Sequence, residues 1–446
     1  MPARADFRPQ KNTRFFLAPA ADAAKLAAFP NYRFHLTSLN MSKPTTTPKT
    51  AAAKAVFKAL DTFKIETPSW GYADTGTRFG KFFQDAAAID LNDKLADAGQ
   101  VHALTGCCPQ VAVHVLWDFQ PGQDPKEVAA LAAGHGVRIG AINPNLFQDQ
   151  IYKYGSFANT DPAVRKAALD HTLYSIDLGK KLGSQCVSMW LADGVNYPGQ
   201  ASVRARKKRM EECLTAAHKK LAPGQLLLIE YKPFEPAFYA TDIADWGMSY
   251  LYAKKAGKQA RVLVDTGHHY TAQNIEQIVA WLLDENMLGG FHFNDRRYAD
   301  DDLTLGSIDP YQAFRIFHEI HHHTFDAGKP ADIAYMIDQS HNDKSKIEAT
   351  IQTVVTAQEL YVKAALVDHK RLAALQDKNA QIDAEEILKT AFFTDVKPFI
   401  REWRLANGLP EDPLKAHRES GYERDAAKAR KARRKELGIV QSGSYA

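Results

Sequence analysis

Eight short apolar runs, each followed by a helical segment, limit what this chain can fold into. The runs are TPSWG (67–71), VAVHVLWD (111–118), RIGAINPN (138–145), QCVSMWLADG (185–194), QLLLIEYKP (225–233), ARVLVDTGHH (260–269), LGGFHFND (288–295) and AYMIDQSH (334–341), mostly spaced 30–50 residues apart. Near-continuous apolarity, in place of strict alternation, marks strands covered on both faces, as in a parallel sheet wrapped by helices. Eight such units predict an α/β fold of the (β/α)8 TIM-barrel class rather than an open doubly wound sheet. No GxGxxG follows any of the runs, which lowers the dinucleotide-binding alternative. The intervening helices announce themselves. AAAKAVFKALDTF (51–63) sets Val56, Leu60 and Phe63 at helical spacing. Asp161-Pro162 and Asp309-Pro310 read as an N-cap with Pro at the first helical position, and Asn274 can cap a helix with Ile275, Val279 and Leu282 on one face.

The 446 residues divide by pattern into three parts. Residues 1–50 lack periodicity and are expected to form a disordered or poorly ordered N-terminal extension, with Met41 the expected biological start and residues 1–40 dispensable. Residues 51–345 form the barrel. Residues 346–446 are helical and polar, and are expected to be an added region that packs on the barrel or on another subunit. Within it, 422–436 (YERDAAKARKARRKE) holds seven Lys/Arg against three Asp/Glu, which accounts for the whole net charge of +4. The body is therefore near neutral, no nucleic-acid surface is expected, and the tail reads as a solvated, partly frayed helix. No apolar run of about 18 residues occurs, so no membrane span is expected. Cys107, Cys108, Cys186 and Cys213 have no CxxC spacing and fit a reducing, cytoplasmic setting as packing or surface residues. The His321-His322-His323 run reads as a helix C-terminus, where imidazole favours the dipole.

In a TIM barrel the reacting groups gather at the C-terminal ends of the strands. The fifth run ends in Glu230-Tyr231-Lys232, and alternation puts Glu230 and Lys232 on one side. The sixth ends in Asp265-Thr266-Gly267-His268-His269. The seventh carries His292, Asn294 and Asp295 and leads to Asp300-Asp301-Asp302, and the eighth ends in Asp338-Gln339-Ser340-His341. Convergence of Glu230, Asp265, His292 and Asp338 would crowd three carboxylates, for which a divalent cation is the simplest compensation. Oxygen ligands with imidazole suit Mn²⁺, Mg²⁺ or Co²⁺. His268 with Asp300 and Asp302 forms a second group if that loop is extended, and Asp265 is close enough in sequence to serve both. Trp70, Trp117 and Trp190 fall near strand ends, where flat aromatic faces suit a sugar ring. His114, with Asp118 after it, reads as a base and its orienter.

The stretches SWGYADTGTRF (69–79), DGVNYPGQ (193–200), EYKPFEPAFYATDIADWG (230–247), LVDTGHHYTAQNIE (263–276), GGFHFNDRRYADDD (289–302), MIDQSHN (336–342) and SGYERD (420–425) resemble the bacterial L-rhamnose isomerase/sugar isomerase family, among the xylose-isomerase-like TIM barrels. The resemblance implies a metal-dependent aldose–ketose isomerase, a homotetramer with two divalent cations of the Mn²⁺ type per subunit. By this resemblance Glu230, Asp265, His292 and Asp338 would hold one ion. His268, Asp300 and Asp302, with Asp265 bridging, would hold the other. Lys232 would hydrogen-bond to substrate oxygens, and Trp70, His114, Trp117, Phe147 and Trp190 would line the sugar pocket. Phe79 would reach a neighbouring subunit's site, and Asp338 and Ser340 would sit near the reacting carbons. Gly71-Tyr72-Ala73-Asp74-Thr75, Tyr231 and Arg296-Arg297 depart from the family pattern. They touch no expected ligand and bear on sugar preference.

The implied chemistry moves a hydrogen between C1 and C2 of an open-chain sugar, by hydride shift or through an enediol. For the enediol, Asp338 tuned by Ser340 is the expected base. Lys232 would stabilise an oxyanion, and His114 would move the ring-opening proton. L-rhamnose to L-rhamnulose is the favoured conversion, with other pairs such as D-allose/D-allulose accepted. The rivals are a ketose epimerase or a metal-dependent hydrolase on a similar barrel, and a non-catalytic sugar-binding protein. Arg296-Arg297 is the one pair that keeps a phosphate substrate in view.

Overall fold

The computed structural model describes residues 50–77, 80–235, 239–298 and 300–439. The expectations for residues 1–49, Met41 included, and for Phe79 fall outside the described residues. Eight strands form one sheet in chain order. They are β1 (Thr67–Pro68), β2 (Gln110–His114), β3 (Arg138–Asn143), β4 (Cys186–Met189), β5 (Leu226–Glu230), β6 (Ala260–Asp265), β7 (Leu288–Phe293) and β8 (Ala334–Ile337). Every neighbouring pair is parallel. A parallel bridge from Glu66 to Met336 brings the first strand back to the last. There the Glu66 N–H donates to Tyr335 O at 2.8 Å and the Ile337 N–H to Glu66 O at 2.9 Å. The ring is thus the TIM barrel that the eight runs require. Leu227, Leu228 and Ile229 of β5 are fully buried, each contributing about 1.5–3 kcal/mol. The first run yields only a two-residue strand, since Pro68 has no N–H for a ladder. The chain turns instead into a 3₁₀ turn, Ser69–Tyr72, which carries Trp70.

The helices are α1 (Ala51–Thr62), α2 (Leu91–Thr105), α3 (Pro125–Gly134), α4 (Pro162–Leu182), α5 (Val203–His218), α6 (Trp246–Ala256), α7 (Ile275–Asp284), α8 (Pro310–Ala327) and α9 (Lys346–Ala365). Asp161, Asn274 and Asp309 cap α4, α7 and α8, accepting from Ala163 N, Gln277 N and Gln312 N. Helices α2 to α9 each follow a strand, and α9 packs against α8 and α2. The eighth barrel helix therefore lies inside the segment assigned to the C-terminal addition. The addition proper is α10 (His369–Gln376), α11 (Gln381–Phe393), α12 (Lys397–Ala406), α13 (Pro413–Ser420) and α14 (Tyr422–Glu436). Helix α1 joins it: Val56 and Leu60 pack with Val362, Ile400 and Trp403.

Two local expectations are corrected. Helix α8 runs on to Ala327 and stops at left-handed Gly328, so His321–His323 precede its last turn. Helix α14 is not a solvated, fraying tail. Arg430 is 5% and Arg434 6% exposed. Arg430 donates to both carboxylate oxygens of Asp97, at 2.9 and 2.8 Å, and Tyr422 adds its hydroxyl at 2.8 Å. Arg434 reaches Asp74 at 3.3 Å, and Arg433 pairs with Asp90. The basic surplus of the tail is answered by aspartates on and before α2. No helix among the described residues is long and apolar enough to cross a membrane, and the four cysteines are free thiols.

Candidate metal centre

Glu230 ends β5, Asp265 ends β6 in register with His292 of β7, and Asp338 follows β8. One ligand atom from each of these four lies within 4.8 Å of the others. His292 Nδ1 is 3.3 Å from Glu230 Oε1 and 3.7 Å from both Asp265 Oδ2 and Asp338 Oδ2. Asp265 Oδ1 accepts from the Gly267 N–H at 2.6 Å and from Asn294 Nδ2 at 3.1 Å. Gly267 has no room for a side chain, since a Cβ there would lie 2.5 Å from Asn294 Oδ1. Asp338 Oδ1 accepts from Trp70 Nε1 at 2.8 Å. Asp265 Oδ2 and His292 Nε2 are buried with no hydrogen-bond partner among the described residues.

The electrostatics follow from burial and crowding. Burial pushes Asp265 up to about 7; the imidazole of His268 opposes this, while the carboxylates of Glu230 and Asp338 add to it. Burial raises Asp338 as well, and raises Asp302 well above the usual carboxylate range with Asp300 adding to the effect. Burial works against a charged His292, but Glu230 outweighs it and lifts this imidazole to about 9. Three carboxylates, one of them with an orphaned oxygen, and an imidazole form a donor set that fits a hard divalent cation.

The second expected group is arranged differently. His268 Nε2 lies 2.9 Å from Asp300 Oδ1, and Lys232 Nζ lies 2.5 Å from Asp300 Oδ2 and 2.8 Å from Glu235 Oε2. His268 and Asp300 thus satisfy each other, and Lys232 is paired before any ligand arrives. Burial opposes the charge on Lys232, but Asp300 and Glu235 outweigh it and hold the ammonium protonated. The loop is not extended as expected. Asp300 and Asp302 have φ of 62° and 49°, a left-handed conformation that aspartate tolerates better than most residues. Both still line the same cavity as His268.

That cavity has a volume of about 200 Å³, and its lining also includes the aromatic rings of Trp70, Trp117, Phe147, Trp190 and His114. The His114 ring sits 4.8 Å from Trp70 and 4.0 Å from Trp117, and Phe147 meets Trp190 edge-on at 4.8 Å. Lys232 Nζ lies 5.2 Å over the Trp190 ring. Asp118 does not orient the His114 ring. Its carboxylate accepts instead from the His114 backbone N–H at 2.8 Å, Ser69 Oγ at 2.6 Å and Lys94 Nζ at 2.5 Å. Ser340 does not line the cavity; the residue that grips Asp338 is Trp70. Arg296 is spent on the carbonyl oxygens of His269, Thr266 and Tyr270, and so is not a phosphate contact. Asn143, Ser188 and Glu235 belong to the site or its supports without having been singled out, and Asn294, noted only as a polar residue at the end of the seventh strand, supports Asp265. Ser188 stands two residues from Trp190 and Asn294 two from His292, a period that places each beside a named residue on one face.

A cluster of acids and imidazoles at the mouth of a closed parallel barrel, in a cavity shared with aromatic rings, defines a class of metal-dependent TIM barrels with a small-molecule pocket. Residues 108–348 match the xylose isomerase-like TIM barrel family. The chain belongs to that family. It is 39% identical over 386 residues to a probable sugar isomerase of Mesorhizobium japonicum, spanning 85% of this chain and 89% of that protein. It is likewise 39% identical over 383 residues to a probable sugar isomerase of Rhizobium meliloti, with the same shares covered. To the xylose isomerase of Thermus thermophilus it is 27% identical over 190 residues, 40% of this chain and 48% of that protein.

Proposed function

We propose that this chain is a divalent-cation-dependent aldose–ketose isomerase. It converts L-rhamnose to L-rhamnulose and accepts further pairs such as D-allose/D-allulose. The observation that carries this reading is the unpartnered Oδ2 of buried Asp265, set among Glu230, His292 and Asp338 at a small cavity lined also by aromatic rings. The 39% identity to two proteins named probable sugar isomerases supports it. On this reading Glu230, Asp265, His292 and Asp338 hold one cation of the Mn²⁺ type. His268, Asp300 and Asp302 hold a second, with Asp265 shared. The chain works as a homotetramer, in line with the resemblance of its motifs.

A divalent cation held there would supply Lewis-acid polarisation of sugar oxygens. The remaining work falls to this chain's side chains. Trp70, Phe147 and Trp190 offer flat faces to the C–H side of a sugar. Lys232, kept charged by its acidic neighbours, donates to an oxygen that gains negative charge. Burial, followed by Lys94 and His292, lowers His114 to about 3, so its ring stays neutral and guides the ring-opening proton between the sugar oxygen and solvent without holding it. Trp70 Nε1 fixes the Asp338 carboxylate, the candidate base for the reacting carbons.

The deciding experiment strips the enzyme of metal, restores Mn²⁺ and screens a panel of aldoses. Ketose should form from L-rhamnose on reconstitution, and deuterium at C2 reports whether hydrogen transfers directly to C1. Absence of aldose turnover with Mn²⁺, Mg²⁺ and Co²⁺ alike would overturn the reading. Inversion at C3 of a ketose, with no C1–C2 exchange, would replace it with an epimerase.

A further inference from the structure

The outer face of the barrel carries another gathering of metal-type side chains, apart from the mouth. On α8 the sequence reads His318-Glu319-Ile320-His321-His322. Its H-E-x-x-H spacing places two imidazoles on one helix face, as in zinc-binding helices. His369, the first residue of α10, brings a third ring to the same place. The ring centres are 5.7 Å (His318 to His322), 5.2 Å (His318 to His369) and 5.5 Å (His322 to His369) apart. A point equidistant from three centres so spaced lies about 3.2 Å from each. A zinc–nitrogen bond of about 2.0–2.1 Å, extended by about 1.1 Å from nitrogen to ring centre, requires the same distance with the ion in each ring's plane. The ring planes lie 22°, 16° and 7° apart, flatter than a tetrahedral tripod, so the rings turn as they take the ion. One ligand atom each from His318, Glu319 and His322 lies within 4.8 Å of the other two; His369 is outside that group and joins it by turning its ring toward the other two.

Unused hydrogen-bonding capacity points the same way. His318 is 5% exposed, and its Nδ1 and that of His369 are buried with no hydrogen-bond partner among the described residues. Buried polar atoms left unpaired are costly. Burial, with His369 and His322 adding, lowers His318 to about 3, and burial lowers His369 to about 4. Neutral rings keep a lone pair free for a metal. His321 takes no part, since its Nε2 bonds to Tyr361 O at 3.1 Å. The donor set is rich in imidazole where the mouth is rich in oxygen, so it selects zinc-like ions over Mg²⁺ or Mn²⁺.

We propose that His318, His322 and His369, with Glu319 as fourth donor, form a structural Zn²⁺ site that ties barrel helix α8 to α10 of the C-terminal addition. The test uses the full chain bearing Asp265→Asn, which disables the mouth, alone and combined with His369→Gln or His322→Gln. Each protein is loaded with Zn²⁺, dialysed, and measured for zinc per chain, X-ray absorption at the zinc edge and melting temperature. The Asp265→Asn protein should keep about one zinc with imidazole scattering and melt higher with Zn²⁺, and both histidine variants should lose these properties. Glu319→Gln leaves all three rings in place and, as the loss of a direct donor, should weaken zinc binding beyond the roughly 10–100-fold of an outer-sphere change, which decides the matter if a histidine variant misfolds. Equal zinc content with and without the histidine substitutions, or unchanged affinity in Glu319→Gln, would overturn the proposal.

Discussion

Two acidic clusters of this molecule answer burial in opposite ways. Beneath α14, buried Asp97 faces the guanidinium fork of Arg430 and the hydroxyl of Tyr422. At the barrel mouth, equally buried Asp265 faces Glu230, Asp338 and two imidazoles. Burial raises both carboxyls, but Arg430 pulls Asp97 back, whereas Glu230 and Asp338 push Asp265 further. The first cluster is completed by the chain itself. The second takes its positive charge from protons on His268 and His292, which burial opposes but the surrounding carboxylates lift to about 10 and about 9. A bound cation would displace those protons, and a cluster perturbed in this way marks a functional site.

The contrast can be broken or sharpened by substitution. The largest effect is expected beneath α14. Arg430→Met leaves Asp97 buried and unpaired and should cost about 3–5 kcal/mol in urea unfolding, with cation content per folded chain unchanged. Adding Asp97→Leu should recover most of that loss. A drop in bound cation in Arg430→Met would mean that the two clusters are not independent. At the mouth, Asp265→Asn should lose metal and activity together. The loss in kcat/KM should exceed the roughly 100-fold upper range for outer-sphere changes. Activity without added metal in both Asp265→Asn and Glu230→Gln would refute the ligand assignment. Trp70→Phe keeps the ring but removes the N–H held by Asp338, and should lower cation affinity about tenfold by titration calorimetry. An unchanged affinity would show that the grip is ornamental.

The smallest effect is in pH. Without a cation, Asp265 binds its proton near pH 7 when folded, against 3.8 for an ordinary aspartate. Its stabilising contribution is full below about pH 4 and is lost as pH rises through about 7. A cation competes for the same carboxylate, so Mn²⁺ should raise the melting temperature more at about pH 8 than at about pH 5. A gain independent of pH would exclude Asp265 from the cation site.

Much of this was legible locally. Apolar runs mark strands and Asp-Pro marks helix starts, because both signals act over a few residues. Glu230, Asp265, His292 and Asp338 could be named together because barrel closure converts four distant strand ends into neighbours. What stayed hidden depends on partners that no local pattern supplies. Asp118 reads as a companion of His114, yet Lys94 and Ser69 claim its oxygens. Ser340 stands two residues from Asp338, but the carboxylate is held by Trp70, 268 positions away. The tail looks solvated because its charge is counted without Asp97, 333 positions upstream of Arg430. The left-handed turns at Asp300 and Asp302 leave no trace in a run of three aspartates.

That last ion pair has a bearing on how the polypeptide is made. Asp97 leaves the ribosome 333 residues ahead of Arg430. At synthesis rates of about 5–20 residues per second, this is a wait of roughly 15–70 s. During that interval the first barrel helix carries a carboxylate that it cannot seat as an ion without its counterpart. Final seating of the first barrel helix is therefore coupled to arrival of the last described helix, α14. A chain released short of residue 430 would expose this fault and be open to proteolysis.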